Sequence, residues 1–141
     1  MPLAVSVVIY EDDSRGRVMA VRRPEEAGES FGGMWGLPAA TVGEDETAED
    51  AVRRLGIQKL GMTLTVGDEM RRGSQEREDG ELEMVLFVAT AAEDEPKLVR
   101  EWDAKGVTYY TKWKWAEASV FEPTAKAGSL CCQLFLDEQG G

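Results

Sequence analysis

There is no histidine among the 141 residues of this chain. That removes the commonest general base, the ordinary Ser/His and Cys/His nucleophile systems, and His-ligated zinc. Any catalysis must run on carboxylates, Lys, Tyr or a metal held by oxygen ligands. Acidic residues number 27 against 16 Lys and Arg, and they are unevenly placed. Glu44, Asp45 and Glu46 form a run and Glu49 and Asp50 follow, but Ala51 through Gly67 holds no carboxylate while Arg53, Arg54 and Lys59 stand in the gap. Arg22 and Arg23 make a second basic pair. Trp35 offers a ring that either stacks on a base or closes a core. The net charge of −11 repels nucleic acid polymers and anionic membrane surfaces. A phosphorylated small molecule needs only a local Arg/Lys cluster or a bridging cation.

The length suits one domain spanning residues 1–141, enough to bury about two thirds of its unfolded surface. An apolar fraction of 43% is that of a soluble globular protein. Leu3 to Tyr10 reads as a strand, Glu11 to Gly16 as a turn and Arg17 to Arg22 as a second strand, together a hairpin. Pro24 to Gly36 is a Gly-rich loop, followed by an extended piece and an acidic turn. Thr47 caps the amide of Asp50, Glu49 and Asp50 complement the helix dipole, and Gly61 ends the helix. Ala48, Ala51, Val52, Leu55 and Leu60 form its apolar stripe. Met62 to Met70 alternates as a strand, Arg71 to Gly80 is a polar, mobile loop, and Leu82 to Thr90 is a central strand buried on both faces. Ala91 to Gly106 is irregular. In Val107 to Trp115 the odd positions, Trp113 and Trp115 included, share one face, with Lys112 and Lys114 on the other. Gly128 to Gln139 closes the chain as an amphipathic helix.

Cys131 and Cys132 sit side by side in that helix, where a vicinal disulfide would be strained, so both read as buried free thiols suited to a reducing cytoplasm. The stretch "MPLAVSVVIY" lacks a basic leader and is too short for a signal peptide or membrane span. No Gly-rich phosphate fingerprint is present, and the elements sum to an α+β chain with mixed sheets.

The order of hairpin, "GMWGLP" at Gly33 to Pro38, acidic turn, helix and strand resembles the Nudix family. The family's box is a Gly, five residues, a Glu, seven residues, then Arg-Glu-aliphatic-any-Glu-Glu-any-Gly-aliphatic. Laid on this chain without gaps, it puts the first Gly on Ala40, the Glu on Glu46, the Arg on Arg54 and the closing pair on Gly61 and Met62. The resemblance runs from Leu3 to about Leu136. It implies an α/β/α sandwich with a central mixed β-sheet, a Mg2+ or Mn2+ cofactor if active, and homodimers as a common assembly. The three helix glutamates that hold metal in active relatives correspond here to Leu55, Gln58 and Lys59, and the paired glycines to Ala39 and Ala40. Positions 55, 58 and 59 project from one helix face, where three carboxylates would cage Mg2+ and the metal would supply both charge neutralisation and a nucleophilic water. Losing a general base alone costs about 10²- to 10⁴-fold. Glu49 and Asp50 point roughly 120° and 140° away from Leu55 and cannot refill the cage.

These residues set the expectations. Glu46 and Arg54 are the catalytic candidates, and Glu46 and Glu44 the candidate metal ligands, with Glu83, Glu93 and Glu95 as acids that a later strand and loop could bring alongside. Arg22, Arg23, Trp35 and Lys59 are the candidate ligand-binding residues. The Lys59 ammonium, near Arg54, could neutralise a phosphate in place of the metal. The first functional reading is binding of a nucleoside diphosphate-linked or related molecule, with ordinary Mg2+-dependent pyrophosphate hydrolysis lost or impaired. An active pyrophosphohydrolase with relocated carboxylates is the second, and a dimerisation or scaffold module without ligand the third. Against each stands a plainer role: Glu46 as a turn acid, Arg54 in a structural ion pair, Trp35 in the core.

Overall fold

The computed structural model describes residues 3–24, 31–77, 80–98 and 110–140. Strands β1 (Leu3–Val8), β4 (Ala39–Thr41), β5 (Leu64–Arg77) and β6 (Gly80–Ala91) form one mixed sheet in the order β4-β1-β6-β5, with β1 parallel to β6. A second, antiparallel sheet orders β3 (Trp35–Gly36), β2 (Val18–Arg22) and β7 (Lys112–Ala116) as β3-β2-β7. Side chains alternate across these strands. Val5, Val7, Met19, Val21, Val85 and Phe87 enter one core with helix α1 (Ala48–Leu55). Ala4, Val8, Val18, Ala20, Met84 and Leu86 enter a second, covered by Phe121 and by helix α3 (Leu130–Gly140). Helices thus lie on both faces of the strand layer, as expected, with α2 (Glu122–Lys126) leading into α3.

The hairpin expected at the start forms only at its tip. Glu11 N donates to Arg17 O at 2.9 Å and Tyr10 bridges Val18, but beyond them β1 and β2 part into different sheets. Both edges of each strand are taken by other partners: β4 and β6 for β1, β3 and β7 for β2. The acidic turn and helix start agree with the sequence, since Thr47 Oγ1 accepts from Asp50 N at 3.1 Å. Past Leu55 the helix widens into a π-turn over Gly56–Leu60 and closes at Gly61, whose N–H reaches back to Gly56 O. Gly61 has φ +61°, and a Cβ there would run into the carbonyl of Lys97, whose own N–H donates to Leu60 O at 2.7 Å. Only glycine satisfies both demands.

The polar stretch after Met70 is not a mobile loop. β5 continues through Arg77 and stays paired with β6 down to Arg77 opposite Gly80. Arg72 bridges Glu69 and Glu83, both at 2.9 Å, on one face. On the other, Gly73 leaves room for Leu134, and Gln75 Nε2 donates to Gly128 O at 2.9 Å. The solvent-facing charges pair across strands, and the face beneath α3 carries the packing. In β7, Lys112 and Lys114 are exposed while Trp113 and Trp115 are half-buried, as the alternation predicts. Val107 to Tyr109 lie outside the described residues. Cys131 and Cys132 are buried free thiols. Among the described residues no helix is long and apolar enough to cross a membrane.

Replacing Gly61 by Ala is expected to destabilise the fold by roughly 2–4 kcal/mol, from left-handed backbone strain and the Lys97 collision. Gly16→Ala, whose Cβ would meet only Ser14 Oγ at 3.5 Å, should stay near neutral. Urea unfolding of the two variants checks both outcomes.

Candidate functional site

β4, the π-turn after α1, the end of β5 and the first turn of α3 surround a cavity of about 340 Å3. Its wall carries Arg23, Arg54, Lys59 and Arg77, and among the described residues no carboxylate lines it. In a chain of net charge −11 that is a local inversion of sign.

Arg54 is held by three groups. Its Nε and Nη2 donate to Glu46 Oε2 and Oε1 at 2.8 and 2.9 Å, Nη2 also to Thr41 O at 2.7 Å, and Nη1 to Gln58 Oε1 at 3.2 Å. Gly43 N donates to Glu46 Oε1 at 3.0 Å. The Arg54 hydrogen bonds hold the Glu46 carboxyl below its usual range, partial burial opposing them, and the same bonds raise Arg54. Both carboxylate oxygens are therefore committed to the guanidinium.

The three positions aligned with the family's glutamates have separate duties. Leu55 is fully buried in the α1-side core, and half-buried Gln58 accepts from Arg54. Lys59 is 8% exposed, with its ammonium at the cavity wall. Nζ donates to Ala39 O at 2.8 Å and lies 5.4 Å from the ring centroid of Tyr110. Tyr110 OH accepts from Ala39 N at 2.9 Å and donates to Ala39 O at 3.2 Å. The Ala39 backbone is thus fixed from both sides.

At the opposite wall Ser129 immediately precedes α3 and Cys131 stands in its first turn, where the positive dipole end adds to the field of the cations. Ser129 Oγ lies 3.4 Å from Cys131 Sγ. Arg23 reaches this cavity with its guanidinium 5.9 Å from the centroid of Phe31, which also lines it.

Other candidates lie elsewhere. Arg22 Nε donates to Gly33 O at 3.0 Å, and Arg22 does not line the cavity. Trp35 packs against the α3-side core, and Lys114 Nζ sits 4.3 Å from its ring centroid. Glu44 is exposed and away from the wall. Glu83 pairs with Arg72. Glu93 accepts from Thr63 N at 2.8 Å and lines a separate acidic cavity with Glu11, Asp12, Asp13 and Asp94.

Mg2+ wants near-octahedral oxygen ligands including a carboxylate or two. Among the described residues no three Asp, Glu, Cys or His side chains converge. The matched positions supply an alkyl group, an amide and an ammonium, and Glu46 is engaged by Arg54. This donor set does not fit a divalent metal at the usual place.

Sequence reasoning missed Arg77, Phe31, Ser129 and Cys131. Arg77 had a signal: at period two it shares a strand face with Gly73 and Gln75, the face turned to α3.

The NUDIX domain family matches residues 1–127. No curated protein matches the sequence. Solved structures do. The MutT protein from Methanosarcina mazei Go1 superimposes with a TM-score of 0.69 at 19% identity, covering 97% of this chain and 88% of that one. The NUDIX domain of Shewanella oneidensis NrtR, complexed with ADP ribose, gives 0.63 at 18%, covering 97% and 83%. A C. elegans Ap4A hydrolase binary complex gives 0.65 at 16%, covering 99% and 91%.

Glu46→Gln should cost roughly 1 kcal/mol at neutral pH, the scale of a partly exposed charged hydrogen-bonded pair. Because the folded carboxyl titrates below its unfolded value, the contribution is full above the ordinary carboxylate pKa and fades as pH falls through the folded one. Urea unfolding of wild type and variant should differ at pH 7, and the difference should shrink as pH falls below the ordinary carboxylate range.

Proposed function

The chain belongs to the Nudix family, and within it we propose that it binds a nucleoside diphosphate-linked or related phosphorylated small molecule without a divalent metal. Ordinary Mg2+-dependent pyrophosphate hydrolysis is lost or impaired in this reading. The observation that carries it is the cavity wall of Arg23, Arg54, Lys59 and Arg77 with no lining carboxylate among the described residues.

A diphosphate needs its charge neutralised before it will leave water. Arginine forks and an ammonium do this by charge-assisted hydrogen bonds. Lys59 suits the part because its ammonium is already desolvated and positioned by Ala39 O. The ordering cost of a long flexible side chain is largely met before ligand arrives. What an ammonium cannot supply is a polarised water. Glu46, the remaining acid of the box, is bound to Arg54 and poorly placed to act as a base. Binding and hydrolysis therefore come apart. The ADP ribose bound to the Shewanella domain and the dinucleotide named for the C. elegans hydrolase support the ligand class.

Calorimetric titration with pyrophosphate and ADP-ribose, in EDTA and in Mg2+, tests the proposal. The expected result is binding in EDTA that Mg2+ does not strengthen, weakened roughly 10- to 100-fold in Lys59→Met, the scale of one charged hydrogen bond. Affinity that requires Mg2+, or metal-dependent release of a nucleoside monophosphate abolished in Glu46→Gln, would favour the hydrolase with relocated ligands. No heat with any phosphate compound would favour the scaffold reading.

A further inference from the structure

We propose that Gln75 is a positioning residue for the cavity: by holding Arg77 Nε it aims the outer edge of that guanidinium at the ligand, giving a phosphoryl group a two-pronged grip. The proposal rests on the phosphate-binding reading above and adds to it a residue that does not itself line the cavity.

The cations of the wall are not equivalent. Arg54 is committed through Nε, Nη1 and Nη2 to Glu46, Gln58 and Thr41. Lys59 directs one N–H at Ala39 O, and an ammonium is a point charge without a fork. Arg23 lies against Phe31, 5.9 Å from its ring centroid. Arg77 differs from all three. Its Nε donates to Gln75 Oε1 at 2.9 Å, and among the described residues nothing is bonded to its two terminal nitrogens. Those nitrogens form the edge whose parallel N–H groups match two oxygens of one phosphoryl group.

Without a tether that edge has no fixed direction. Arg77 is the last residue of β5, opposite Gly80 where the hairpin turns, and it is exposed. A long side chain there loses rotamer freedom when ligand binds, and affinity falls by that amount. Gln75 lessens the loss because its other end is anchored: Nε2 donates to Gly128 O at 2.9 Å. Gly128 lies between α2 and α3, one residue before Ser129 of the cavity wall. The amide thus acts as a strut, donating to the helix junction and accepting from the arginine. A carboxylate lacks the donor and a hydrocarbon lacks both groups. Strand spacing supplies the alignment, since Gly73, Gln75 and Arg77 share one face at period two. Gly73 seats α3 closely, a Cβ there falling 2.7 Å from Leu134 Cδ2, and this brings Gly128 O within reach of Gln75.

The test is a double-mutant cycle on the whole protein, with inorganic pyrophosphate titrated calorimetrically in EDTA. Arg77→Lys keeps the charge and loses the fork, and the expected loss is roughly 10-fold. Gln75→Leu removes both bonds of the strut. It should weaken pyrophosphate roughly 3- to 10-fold in the wild-type background and leave Arg77→Lys unchanged. Urea unfolding isolates any structural part, because loss of the Gly128 contact lowers the midpoint equally in both backgrounds. Guanidinium NMR of the wild type gives a readout that needs no substitution at Gln75. The Arg77 Nε–H resonance, assigned by its absence in Arg77→Lys, should be present with and without pyrophosphate, while the Nη resonances sharpen only with it. Equal losses from Gln75→Leu in both backgrounds, wild-type affinity in Arg77→Lys, or Nη resonances unmoved by bound pyrophosphate overturn the proposal and leave the ligand reading standing. Failure of the wild type to bind pyrophosphate overturns both.

Discussion

A buried ammonium must find acceptors within the fold, and Lys59 finds one in the carbonyl of Ala39. An isolated charge taken out of water is heavily penalised, so such a contact is a condition of the lysine being there at all. The contact ties the π-turn after α1 to β4, and Tyr110 fixes the same peptide from beyond the second irregular segment. Three distant parts of the chain are thereby registered on one backbone unit. Their meeting defines one wall of the cavity.

The second consequence is electrostatic. With Gln58 and Lys59 on the following turn, Arg54 finds an amide but no carboxylate within its own helix. It turns to Glu46 on the preceding turn and to the carbonyl of Thr41. Glu46 is thus engaged by a structural ion pair. The other acids considered as replacements lie apart, Glu83 on Arg72 and Glu93 in the acidic cavity. Positive charge gathers at the cavity of a strongly acidic chain without any acid at its described wall.

Much of this was legible in the sequence because local rules governed it. Thr47 as a cap, Gly61 as the helix end, the continuous apolar run of β6, the alternation in β7 and the apolar stripe of α1 each follow from spacing. What stayed hidden depends on neighbours distant in sequence. Polar residues from Arg71 to Arg77 look like a loop until α3 and the charges of β6 pair with them. Arg22 and Arg23 are adjacent, yet only Arg23 lines the cavity. Whether β1 and β2 share a sheet was decided by their other partners, not by the turn between them.

In the proposed reading, Lys59 and the Arg54–Glu46 pair leave no place for a divalent metal on this face of the helix. Electron paramagnetic resonance of Mn2+ titrated into wild type and Glu46→Gln measures this directly, since bound Mn2+ loses the sharp signal of the free ion. The account predicts that the two titrations superimpose. Loss of one equivalent of signal in wild type that Glu46→Gln restores would contradict it.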